Sequence, residues 1–239
     1  MDYLRREENV GVGNMKSAEC INSYLSVLRL KEIIEGLLPR QAAKNLLIFS
    51  RVTLLIKMWA KQKGIYNYNL GYLNGISIMI LVVRSMQIFY SQHSLKVIEH
   101  QIINHFDKLV QVVIENFFHT FSEWPWEAND FRCRAVTLID IEQYMMKSEM
   151  RSSGSFSEMQ TQEVIQSQQI LAHLAQLPIL SPFPPFKCTT SQMTSACKNK
   201  ILKEIAIARQ HIWLAHSNYN QFEVELSLQS RKRKHYQLL

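Results

Sequence analysis

The chain has 239 residues, 47% of them hydrophobic, enough for a sizeable core in one large domain or two small ones. Its 27 basic and 20 acidic residues leave a net charge of +7, which suits a polyanionic partner. The longest apolar run, Ile76 to Val83, is too short for a membrane span of about 20 residues; the charged start argues against a secretory leader, and four scattered cysteines without a Cys-x-x-Cys pair argue against a zinc site.

With only seven glycines and six prolines, a largely helical fold is expected. Residues 1–15 are polar, broken by glycine and asparagine, and read as a ragged N-terminus. A short helix is expected from Ser23 to Leu38, with Leu25, Leu28, Ile33 and Leu37 inward and Pro39 ending it. The next runs from about Ala43 to Lys63, with Ile48, Val52, Leu55 and Trp59 on one face. Lys57 and Lys61 sit four apart on another face and repel mildly unless an anion lies between them. Gly64 reads as the left-handed C-terminal cap. Asn74 then caps a nearly all-apolar helix carrying Ile76, Met79, Ile80, Val83 and Met86, which has to be buried. Its N-terminus offers unpaired N–H groups, and Gly75 has no side chain to keep a flat ring off the backbone.

Ser94 can open a long helix through Phe121, on the core spacing of Ile98, Ile102, Phe106, Leu109, Val113, Phe117 and Phe121. Asp140-Ile141-Glu142 imitates a metal-binding strand but has no glycine-serine partner. Ser152-Ser153-Gly154-Ser155 reads as a flexible link before a Gln-rich helix, which Ser155 and Glu158 open with a capping box. Pro178, Pro182, Pro184 and Pro185 stiffen a short extended segment. Thr194 to Ser217 form a last amphipathic helix with Ile201, Ile205, Ala208 and Ile212 facing in. Arg231-Lys232-Arg233-Lys234 is either a nuclear import signal or a solvated charge run.

Three ordered stretches resemble the eukaryotic poly(A) polymerases. The first is Ile56-Lys57-Met58-Trp59-Ala60-Lys61, then Ile65-Tyr66, then Leu70-Gly71-Tyr72-Leu73-Asn74-Gly75-Ile76-Ser77, continuing into Leu81-Val82-Val83-Arg84. The second, Phe117-Phe118 through Trp124-Pro125-Trp126, is similar to the family's paired-phenylalanine helix and Trp-x-Trp corner; the third, Leu177-Pro178-Ile179-Leu180-Ser181-Pro182, to its strand and turn. The resemblance is to the central domain and implies an all-α helical bundle with a short extended Pro-rich segment. It divides the chain into the ragged start 1–15, central-domain helices with the nucleotide-contacting loop at 16–126, a divergent insertion with the Ser-rich link at 127–176, the rest of the central domain at 177–220 and a basic tail at 221–239.

By the same resemblance, Lys57 reaches the phosphates of ATP, Tyr66 contacts the nucleotide, and Gly75 with Ile76 lies against the adenine. Two positions depart from the pattern: the family's first loop glycine is Asn74 here, adding bulk beside the base, and the family asparagine two residues after the tyrosine is Tyr68. The implied activity is ATP-dependent adenylate addition to RNA 3′ ends, in the nucleus or also the cytoplasm, with Mg²⁺ or Mn²⁺ held by a Gly-Ser and Asp-x-Asp segment. No such ligands are found in this chain, so the resemblance implies a central domain inactive alone, working with RNA, ATP and a separate catalytic domain or polyadenylation factors, away from membranes. It also implies a third domain beginning near Leu214, for which too few residues remain. Two other readings stay open: a non-catalytic scaffold or regulatory protein derived from such a polymerase, and a terminal nucleotidyltransferase with another nucleotide preference.

Overall fold

A computed structural model describes residues 24–93, 98–100, 102, 105–141, 173–184 and 186–236, the last stretch without side chains beyond 215. Among these residues the architecture is helical: α1 (24–37), α2 (Ala42–Gln62), α3 (Gly75–Gln92), α4 (Phe106–Ser122) and α5 (Ser195–Tyr236). The all-α bundle expected from the sequence is what forms. Extended backbone is limited to isolated bridges, Tyr66 with Leu73, Val136 with Ile179 and Leu180 with Cys188. No helix among the described residues is long and apolar enough to cross a membrane.

α4 lies at the centre, packed against α2, α3 and α5, while α2 and α3 also pack on each other. That position explains why α3 is buried nearly all round: Ile78, Ile80, Leu81, Val82, Val83 and Met86 are all inside. Each fully buried aliphatic side chain contributes about 1.5–3 kcal/mol of transfer free energy. The aromatic end of α4 closes the bundle. Phe117 and Phe121 are buried edge-on to each other with centroids 5.0 Å apart, and Trp124 and Trp126 pack on Phe121. Both indoles are tied down, Trp126 Nε1 donating to the Phe121 carbonyl at 3.0 Å and Trp124 Nε1 to that of Arg134 at 3.0 Å. Trp126→Phe keeps the packing and orphans the buried carbonyl; a loss of about 1–2 kcal/mol in urea unfolding is expected.

Several expectations about faces and ends are corrected. In α1 and the residue after it the inward stripe is Leu30, Ile34 and Leu38, and Leu28 is 38% exposed. In α2 the buried row is Ile48, Val52, Ile56 and Ala60, with Leu55 45% exposed and Trp59 half-buried. Both helices carry two apolar stripes, and contacts with distant elements decide which turns in. The expected helix from Ser94 to Phe121 is broken: His105 has non-helical backbone at φ −140° and ψ 48°, and α4 starts at Phe106. The interruption lets Ile98 and Ile102 be buried as completely as Leu109 and Val113. The last helix continues past Ser217 to Tyr236, since no proline or glycine follows Pro185 to stop it. Ser94 and the expected Ser-rich link and Gln-rich helix lie outside the described residues.

The Pro-rich segment is a strap across the bundle. Val136 N–H donates to the Pro178 carbonyl at 2.8 Å and Leu180 N–H to that of Val136 at 3.0 Å, fixing one side. Thr189 N–H donates to Ile179 at 2.8 Å, turning the chain back toward α3.

Candidate functional site

The loop between α2 and α3 is closed locally. Gly64, at φ 63°, takes the left-handed conformation expected of a cap, and Ile65 N–H reaches back to the Ala60 carbonyl at 2.9 Å. Asn67 Oδ1 accepts from Asn69 N–H at 3.1 Å and shapes the turn Tyr68–Leu70. Leu73 N–H donates to Ile65 at 3.2 Å, which brings the loop's two ends side by side and sets Tyr66 next to the start of α3.

Tyr66 is the hinge of the arrangement. Lys57 Nζ lies 5.2 Å from its ring centroid and Lys61 Nζ 5.6 Å, so two successive turns of α2 present their ammonium groups to one aromatic ring. The Tyr66 hydroxyl stands 3.5 Å from where a Cβ on Gly75 would be. Lys57, Tyr66 and Gly75, separate in sequence, therefore meet at one corner, with Ile76 half-buried on the next position of α3. Among the described residues neither Lys57 nor Lys61 has a carboxylate at ion-pair distance, whereas nearby Lys63 is 3.6 Å from Glu204 and Lys198 is 2.6 Å from Glu127. Two cations with no carboxylate partner among the described residues, beside a half-buried ring, favour an anion there.

The start of α3 adds donors. Asn74 Oδ1 accepts from Ser77 N–H at 2.8 Å, and the Asn74 carbonyl accepts from Ile78 N–H at 3.2 Å. A helix leaves its first N–H groups without an internal partner, and with those two taken the donors left open among the described residues are Gly75 and Ile76. A Cβ on Gly75 would meet only the Tyr66 hydroxyl, at ordinary van der Waals distance, so the fold itself does not require glycine there.

Asn74 does more than add bulk. Its Nδ2 donates to the Thr189 carbonyl at 3.1 Å, and Ser77 Oγ lies 2.9 Å from Thr189 Oγ1, joining α3 to the strap. Tyr68, 40% exposed, sits on the outer turn of the loop. Lys61 joins the corner on the strength of its four-residue offset from Lys57. The Thr189 contact has no local signal, because it spans 115 residues.

Elsewhere, a cavity of about 790 Å³ is lined by Arg84, Asp130, Phe131, Thr137, Asp140 and His173, and none of Lys57, Tyr66, Gly75 or Ile76 borders it. Burial lowers the pKa of Arg84, which stands 5.8 Å from the Trp124 ring centroid. Asp130 caps a single helical turn, and the N–H of Arg132 holds its carboxyl below the usual range. Asp140 borders this cavity, Glu142 lies outside the described residues, and among the described residues no group of three or more His, Cys, Asp or Glu is placed to hold a metal ion.

Fold and corner together define an all-α domain that exposes paired lysines, a tyrosine and open helix-start amides on one edge. Residues 48–224 match the family described as "Poly(A) polymerase central domain", and the chain belongs to that family. It is 24% identical over 180 residues to the poly(A) polymerase PAPa of Candida albicans, covering 75% of this chain and 25% of that protein. The poly(A) polymerase of Entamoeba histolytica is 29% identical over 99 residues, 41% of this chain and 15% of that one. Candida albicans PAPalpha is 22% identical over 182 residues, 76% of this chain and 25% of that protein. The chain thus spans a quarter or less of the length of these curated relatives.

Proposed function

We propose that this chain forms the nucleotide-receiving wall of an enzyme that adds adenylate to RNA 3′ ends, with ATP as the substrate and the nucleus as the place of work. The observation carrying this reading is the meeting of Lys57, Lys61, Tyr66 and the open amides of Gly75 and Ile76 at one corner. In this role Lys57 stabilises phosphate charge, with Lys61 adding to the local positive potential. Tyr66 positions the nucleotide, and Gly75 with Ile76 receives the adenine, where acceptor atoms on the ring edge find N–H donors.

The reaction is attack of the RNA 3′ hydroxyl on the α-phosphorus of ATP with departure of pyrophosphate. Divalent ions supply charge stabilisation in such a transfer. The described residues do not fit a metal pair, since no cluster of three candidate ligands exists among them. The carboxylates for that chemistry are contributed from outside the described residues. Acting alone, the chain binds ATP weakly and leaves an RNA primer unextended.

Calorimetric titration of the purified chain with ATP tests the first half. Saturable binding is expected, and a flat titration at millimolar ATP removes the reading. Tail growth on an RNA primer by the chain alone, with Mg²⁺ or Mn²⁺, overturns the second half. Gly75→Ala separates ligand from fold: stability should stay within about 0.5 kcal/mol, as for substitutions that touch nothing essential. ATP affinity should fall about three- to tenfold, the methyl standing where the base approaches the backbone.

A further inference from the structure

We propose that Asn74 is a positioning residue, through which the strap at 177–193 sets the direction of the open Gly75 and Ile76 amides. This inference rests on the nucleotide reading above. An asparagine before a helix is ordinarily only a cap, and one atom of Asn74, Oδ1, does serve that purpose by accepting from Ser77. The other end of the carboxamide goes elsewhere. Its Nδ2 donates to the carbonyl of Thr189, 115 residues away.

That carbonyl is itself held in place. Thr189 N–H donates to Ile179 at 2.8 Å and Thr189 Oγ1 to the same carbonyl at 3.0 Å, while Leu180 N–H donates to Val136. With the Thr189 proton directed to Ile179, Ser77 Oγ gives its single proton either to Asn74 Oδ1 at 2.8 Å or to Thr189 Oγ1 at 2.9 Å, a second contact between α3 and the strap. A continuous line of hydrogen bonds therefore runs from Val136 through the strap to the residue immediately preceding the two open amides. Hydrogen bonds weaken steeply as their angle closes, so a small rotation of the first turn of α3 misdirects Gly75 and Ile76 with respect to a bound base. A glycine at 74 would have no such tie; in this chain the side chain supplies one.

Two neutral substitutions separate capping from positioning. Asn74→Ser keeps a capping oxygen and loses the donor to Thr189, whereas Asn74→Gly loses both. If the tie matters, both variants weaken ATP binding, by about fivefold, the value of one neutral hydrogen bond. In both, the amide resonance of Ile76, which is not peptide-bonded to the substituted residue, also shifts or broadens in nucleotide-free protein, a readout that stability alone does not move. If capping is the whole role, Asn74→Ser behaves as wild type in affinity and in the Ile76 resonance, and the proposal is overturned. Altered resonances with unaltered ATP affinity overturn it equally. A wild-type chain that fails to bind ATP removes the nucleotide reading instead, and the Ile76 resonance still decides whether Asn74 orients the turn.

Discussion

Lys57→Ala is expected to weaken ATP binding by roughly 10- to 100-fold, the range for losing a hydrogen bond to a charged group, while the melting temperature barely moves. The loss is large because no other residue of the corner duplicates the position. Lys61 is one turn further along α2 and looks at the same ring from 5.6 Å, so it retains part of the attraction in the single variant. Removing both lysines should therefore cost more than either alone. Stability is spared because Lys57 has no carboxylate at ion-pair distance among the described residues, and its cation–π contact with the half-buried Tyr66 ring contributes only about 0.5–1 kcal/mol. Calorimetry with ATP beside thermal unfolding of the same samples reads both numbers. Wild-type affinity in Lys57→Ala would remove this residue from the site and favour a purely structural role for the corner.

Gly71→Ala is the counterpart, an expected loss of about 2–4 kcal/mol in folding stability from a single methyl, measured by urea unfolding. Two costs combine. Gly71 adopts φ 75°, where an L side chain is strained, and a Cβ there would lie 2.9 Å from the carbonyl oxygen of Gln192. That neighbour is backbone and cannot swing aside. The same turn is held by Cys197, whose Sγ donates to the Leu70 carbonyl at 3.3 Å, so relief by moving the loop would break a second contact. Gly75→Ala, four residues on, meets no such obstacle. The pair thus divides one glycine-rich loop into a residue the fold needs and a residue a ligand needs. Equal stability of Gly71→Ala and wild type would mean that the loop does not dock on the 190–193 turn.

How much of this was legible in the chain varies with the range of the interaction. The cap at Gly64, the start of α3 at Asn74 and the limits of α2 all follow from residues within one turn of each other, and each expectation lies within a residue or two of the structure. The meeting of Lys57 with Tyr66 and Gly75 was implied by resemblance, and composition or periodicity does not contain it. Where two apolar stripes competed, as Leu55 and Trp59 did with Ile56 and Ala60, spacing favoured the wrong one. The break at His105 has no proline or glycine to announce it.

By itself the order of residues determined that the chain is helical, where the caps at Gly64 and Asn74 lie and which short stretch carries lysines, tyrosine and glycine together, because capping bonds and helical spacing act over a few neighbours. Only tertiary structure decided which stripe of α2 turns inward, that Gly71 is pressed against Gln192, and that the Asn74 carboxamide is held by Thr189. The first depends on packing against α3 and α4 and the other two on carbonyls more than a hundred residues away, and no local preference of the backbone encodes where such groups will arrive.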